Sequence, residues 1–213
     1  YYYYAILSSY DAVKKIKHLQ KNNKQNMITE AFEIYNTLNE TQKNDQYVIG
    51  ALLNCCKIIL KQKKSDINTK KIIEHIKNLI INTNDNVFNK SSLITIYGKT
   101  GDINNALNIF NKIPSNEKNI PSINAMMTVY NNNKKYNECI ALYEQYDDNQ
   151  YDDISNLLFI KACTNSGNKF NYDKGKKLID SIKCDDDDIN NHNIGFINTL
   201  IDFYGKISDV NNA

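Results

Sequence analysis

Apolar residues recur along this chain at helical rather than strand spacing. Leu93, Ile94, Ile96 and Tyr97 make a stripe at the i, i+3, i+4 positions of one helix face. Gly101 interrupts the stripe, and Asp102 suits the N-cap of a second helix. That helix carries Ala106, Ile109, Phe110 and Ile113 on one face, and Pro114 marks its end. The small side chain at 106 lets the two helices approach closely. Neither helix can bury its stripe alone, so neighbouring pairs must stack. The pattern predicts an all-α fold of tandem helix–turn–helix units.

The units repeat. LITIYGK at 93–99 returns as LIDFYGK at 200–206, 107 residues on, and DINNA at 102–106 returns as DVNNA at 209–213. SLITIY at 92–97 matches AMMTVY at 125–130, and ALNIF at 106–110 matches CIALY at 139–143, both 33 residues apart. A second flavour pairs LLNCC at 52–56 with FIKAC at 159–163, and KIIEHIK at 71–77 with KLIDSIK at 177–183. These matches define repeats at 46–86, 87–119, 120–152 and 153–193, with lengths of 41, 33, 33 and 41, and an incomplete repeat at 194–213. A degenerate repeat at 12–45 precedes them, anchored by AFEIY at 31–35. The whole of 1–213 reads as one α-solenoid, with the recurring Tyr97, Tyr130 and Tyr204 as core residues.

Composition narrows this little. With 7 Gly and 2 Pro the chain cannot punctuate many short strands. About one residue in six is Asn, which describes a solvated surface because the apolar period persists between the Asn clusters. Every basic residue is Lys, so no bidentate Arg contact is available. A net charge of +2 gives faint support to nucleic-acid binding. Of the five Cys, at 55, 56, 139, 163 and 184, four fall in apolar helical patterns, and there is no CxxC; reduced, packed thiols of an intracellular protein are expected. No apolar run reaches transmembrane length. The chain opens on four Tyr without Met and stops inside a helical pattern, so we expect a fragment in which no targeting segment is legible.

The strings FINTLIDFYGK at 196–206, LITIYGKTGDINNALNIF at 93–110 and INAMM at 123–127 resemble the pentatricopeptide repeat family. The Trp-x-x-Leu-Gly-x-x-Tyr pattern of tetratricopeptide repeats does not recur. FIKAC at 159–163 followed by GKKLI at 175–179 is similar to the long variant of the subclass in which long and short repeats alternate. There are departures: extra loop residues at 61–66 and 185–188, Ile123 where that subclass often has an aromatic, and Cys139 in place of a small Ala. The resemblance implies a right-handed superhelix that binds single-stranded RNA at one base per repeat, in mitochondria or another organelle. Its role there would be transcript processing, stability, translation or the choice of C-to-U editing sites, with any deaminase lying beyond Ala213. The same resemblance implies reading pairs Gly50 with Asn86, Ser91 with Asn119, Asn124 with Asp152, Leu157 with Asn193, and Asn198 with a partner outside the chain. Tyr47, Phe88, Pro121, Ile154 and Gly195 would pack on the bases. Asn124/Asp152 is expected to prefer uracil and Ser91/Asn119 adenine. Gly50 and Leu157 lack a hydrogen-bonding side chain and should discriminate weakly. Asn124 also reads as an early-helix residue that helps to cap.

No catalytic constellation or cofactor motif is present. His18, His75 and His192 lack metal-ligand spacing, and the acidic run at 185–188 lacks the alternating ligands of a calcium loop. No zinc deaminase signature occurs. Lys174, Lys176 and Lys177 suit either phosphate contact or a solvated surface. A second reading of the array is a protein- or peptide-binding scaffold, such as a ribosome-associated subunit. Neither reading involves a membrane.

Overall fold

A computed structural model of the chain describes residues 8–22, 26–61, 67–83, 86–146, 151–185 and 194–210. The fold is an all-α helical repeat, and among the described residues there is no strand. The chain divides into two compact units, Tyr1–Glu117 and Lys118–Ala213.

The first unit contains α1 (Ser9–Asn22), α2 (Met27–Asn36), the short α3 (Glu40–Lys43), α4 (Gln46–Lys61), α5 (Ile67–Thr83), α6 (Val87–Lys99) and α7 (Ile103–Asn111). Buried Ala12, Ile16 and Leu19 give α1 one apolar face, and Val48, Leu52, Cys55 and Ile59 do the same for α4. The first helix of each pair packs on the next, α4 touching both α1 and α6. Behind them α2 packs on α1, α4 and α5, and α7 on α6. The buried ammonium of Lys77 on α5 lies 4.2 Å from the Tyr97 ring centroid on α6 and pairs with Glu74 at 2.8 Å.

The second unit contains α8 (Ile120–Asn132), α9 (Tyr136–Glu144), α10 (Asp153–Asn165), α11 (Lys169–Asp185) and α12 (Ile194–Val210). Helix α10 is its centre and packs on α8, α9, α11 and α12. Ile160, Tyr172, Ile179, Phe196 and Phe203 form one core cluster. Tyr143 stacks between Tyr151 and Phe159, at centroid distances of 4.1 and 4.2 Å.

One turn recurs in both units. Gly101, Lys134 and Gly167 hold positive φ of 81°, 59° and 65°, two residues after α6, α8 and α10 end. Asp102 N–H donates to Tyr97 O at 2.9 Å, and Lys135 N–H to Tyr130 O at 2.8 Å, closing the last turn of the preceding helix. Tyr97 and Tyr130 therefore have a backbone role as well as a side-chain one. Their burial differs: Tyr97 is buried, Tyr130 half-buried, and Tyr204 is 40% exposed. The expected shared core role holds for Tyr97 and fails most at Tyr204 on α12, against which the described residues place no following helix.

The extra residues of the longer repeats extend a helix. Helices α5 and α11 each run 17 residues, against 9 for α7 and α9. Lys61 closes α4 and Asp185 closes α11, while 62–66 and 186–188 lie outside the described residues. Four thiols, Cys55, Cys56, Cys139 and Cys163, are free and buried. Burial raises the Cys56 pKa and pushes Cys55 up to about 11 and Cys139 and Cys163 up to about 12.

Candidate nucleic-acid interface

The residues before α6, α8 and α10 are amides or a carboxylate, and each one caps its helix. Asn86 Oδ1 accepts from the N–H groups of Phe88 and Asn89, Asn119 Oδ1 from Ser122 N–H, and Asp152 Oδ1 from Ser155 N–H. Capping satisfies backbone donors that a helix start otherwise leaves unpaired. It also fixes these three side chains beside the second residue of the helix that follows.

Those second residues point outward. Tyr47, Phe88 and Ile154 are 69%, 65% and 58% exposed, and Pro121 and Gly195 are exposed too. Large apolar side chains held in solvent at equivalent helix positions have no packing role within their own unit.

In the first unit these residues frame a cleft of ≈ 610 Å³, lined from α1, α4 and α6. Tyr47 and Phe88 line it together with Gly50, Asn86, Gln46 and Asn89. Asn86 Nδ2 donates to Gln46 Oε1 at 2.6 Å, which ties the α6 cap to the start of α4. Deeper in, Gln20 Nε2 donates to Ala51 O at 2.8 Å and Asn54 Nδ2 to Gln20 Oε1 at 3.0 Å. Lys17 and Lys57 reach the same cleft. Burial, with repulsion from Lys61, holds the Lys57 and Lys99 ammonium groups below the usual lysine range. These three lysines from α4 and α6 make a positive spot that no run in the sequence announced.

The second unit brings Asn124 and Asp152 into direct contact. Asn124 Nδ2 donates to Asp152 Oδ1 at 2.9 Å, and the Ser155 hydroxyl lies 2.7 Å from Asn124 Oδ1 and 2.8 Å from Asp152 Oδ1. Partial burial pushes the Asp152 carboxyl up. The Ser155 N–H, the Asn124 amide, the Ser155 hydroxyl and the Ile154 N–H outweigh it and hold the group below its ordinary value. Asn124 does not cap its own helix; Asn119 does.

The other candidates are dispersed. The Ser91 hydroxyl donates to Val87 O of its own helix at 2.8 Å. Ser91 belongs to the first unit and Asn119 to the second. Leu157 is half-buried against the second core, Asn198 is exposed, and Asn193 and His192 lie outside the described residues. Lys174 pairs with Glu144 at 2.6 Å and sits 4.8 Å from the Phe170 ring centroid, whereas Lys176 and Lys177 are exposed. His75 meets the Phe32 ring edge-on, and His18 bonds Asn22. Among the described residues no group of three or more His, Cys, Asp or Glu is placed to hold a metal, and no helix is long and apolar enough to cross a membrane.

Sequence reading missed the caps, although Asn or Asp three residues before Asn89, Ser122 and Ser155 was a legible signal. It also missed Asn89 and the Lys57, Lys61 and Lys99 group, which come together only when α4 and α6 pack.

Residues 91–117 match a family profile described as PPR repeat. Over 126 residues, 58% of this chain, the sequence is 32% identical to a mitochondrial pentatricopeptide repeat-containing protein of Arabidopsis thaliana. The chain spans 19% of that relative's length.

Proposed function

We propose, from a chain with a matched PPR repeat and a pentatricopeptide-repeat relative, that it binds single-stranded RNA in organellar RNA metabolism, one base per helix pair. The observation that carries this reading is the cleft in which solvent-exposed Tyr47 and Phe88 stand beside a fixed amide. Exposed aromatic faces next to oriented amides and lysines are what an unstacked base and its phosphate need. Asn124 with Asp152, which touch within the second unit, takes uracil, as the family resemblance implies. Leu157 supports no discrimination. Second helices of two lengths, 17, 9, 9 and 17 residues in chain order, support placing the chain in the subclass with long and short variants. Its RNA task lies in processing, stability, translation or editing-site choice, and the mitochondrial designation of the Arabidopsis thaliana relative motivates the organellar assignment.

The test is fluorescence anisotropy with a short RNA containing adenine then uracil. Tyr47→Ala and Phe88→Ala should each weaken binding about tenfold, the scale of one lost base–aromatic stack. Asn124→Ala and Asp152→Ala should reduce the preference for uracil at one position. Absence of binding even at low salt removes the reading and leaves a protein-binding scaffold.

A further inference from the structure

We propose that Asn89, the third residue of the following helix, reads the base in the first cleft in place of the side chain that Gly50 lacks. The inference rests on the RNA-binding reading above. Its ligand is a base with an exocyclic amino group on its pairing edge, adenine, cytosine or guanine in preference to uracil.

Gly50 stands at the fifth position of α4, where Asn124 stands on α8. Around the point a Cβ would take on Gly50, the Asn89 Oδ1 atom comes within 3.2 Å and no other residue packed against it comes within 4 Å. The vacancy left by glycine is thus filled by an amide oxygen from the next helix. Asn89 is 1% exposed, and its Nδ2 donates to Gln46 O at 3.2 Å, which turns the oxygen the other way. That oxygen is buried without a hydrogen-bond partner. A buried acceptor left unpaired costs free energy unless a ligand or ordered water supplies the donor.

The second unit shows the same reach. Ser155, the third residue of α10, donates its hydroxyl to Oδ1 of Asn124, the fifth residue of α8, at 2.7 Å. In both units the third residue of one first helix contacts the fifth position of the previous one. In the second unit the two satisfy each other. In the first there is no fifth side chain to satisfy, and the acceptor remains. Asn86 cannot substitute as the acceptor, because its Oδ1 already holds the Phe88 and Asn89 N–H groups.

A lone acceptor selects a donor. Adenine, cytosine and guanine each present an amino N–H at a corner of the pairing edge. Uracil presents one N–H between two carbonyl oxygens, which the Asn89 oxygen repels. Gly50 therefore does not leave its repeat indifferent to the base.

The experiment selects the 213-residue chain against a pool of randomised short single-stranded RNAs and compares Asn89→Leu, Gly50→Ala and Asn124→Ala. Gly50→Ala places a methyl over the acceptor, and alanine favours the helix, so this variant decides the matter should Asn89→Leu fail to fold by circular dichroism. The expected result is a loss of preference for an amino-bearing base at one position, with affinity for the favoured RNA down about three- to tenfold, the scale of one hydrogen bond. The position governed by Asn124 should be unaffected. Should Gly50→Ala keep every preference while Asn124→Ala loses its own, the Asn89 role is overturned and RNA reading stands. A wild-type preference for uracil at that position overturns it as well. No selective RNA binding by the unaltered chain overturns both.

Discussion

Lys134 occupies the turn position that Gly101 and Gly167 fill in the neighbouring repeats, with a φ of 59°. An L side chain is strained in that region, whereas glycine is not. Lys134→Gly should therefore raise stability by about 0.5–1 kcal/mol, read as a higher urea midpoint; a lower midpoint would contradict the argument. Asp152 works in the opposite sense. Its folded pKa is depressed below the ordinary 3.8, so its contribution is complete above that value and fades as pH falls through the folded one. Asp152→Ala should cost about 1 kcal/mol at neutral pH as a lost cap. The gap between mutant and wild type in urea melts should narrow below pH 3.8. A gap that stays constant down to strong acid would show that the carboxylate's charge contributes nothing.

The helix pairs are built by contacts that single residues control. Gly175 on α11 stands where an added Cβ would come within 2.9 Å of Phe203 Cε2 and 3.0 Å of Cys163 Cβ. Phe203 is fully buried, so its ring has little room to yield. Gly175→Ala is expected to destabilise by about 1–2 kcal/mol, overpacking exceeding the gain in helix preference. Gly205→Ala on α12 is the control, since a Cβ there meets nothing within 4 Å. It should be neutral or slightly stabilising. Equal effects of the two substitutions in thermal melts would refute the close-approach argument. Helix existence was legible here because apolar period and turn residues are local. The length of α5 and α11 was less so, because loop-like Lys and Asp runs at 61–66 and 185–188 obscured where each helix begins or ends.

Across the molecule, 26 basic residues are nearly balanced by 24 acidic ones. RNA binding should accordingly depend on a few placed lysines rather than on bulk charge. With Lys17 and Lys57, which line the cleft, as the main phosphate contacts, log affinity against log salt should have a slope of about −1 to −2. A slope steeper than about −4 in an anisotropy titration would show a much wider basic surface. Of the candidate site, the exposure of Tyr47, Phe88 and Ile154 follows from their shared place as second residues of first helices. The polar arrangement was not legible in the sequence: Asn86, Asn124 and Asp152 look alike in a chain so rich in Asn, yet each has different partners.

Sequence alone determined the helices and the turns between them. Each depends on neighbours three or four residues away, or on the backbone freedom of one glycine. Tertiary structure decided which polar atoms are already satisfied and which are not. Asn86 Nδ2 meets Gln46 across 40 positions and Asn124 Oδ1 meets Ser155 across 31, while Asn89 Oδ1 meets only the absent side chain of Gly50. Hydrogen-bond satisfaction depends on a few tenths of an ångström between helices far apart in the chain, and no local pattern encodes it.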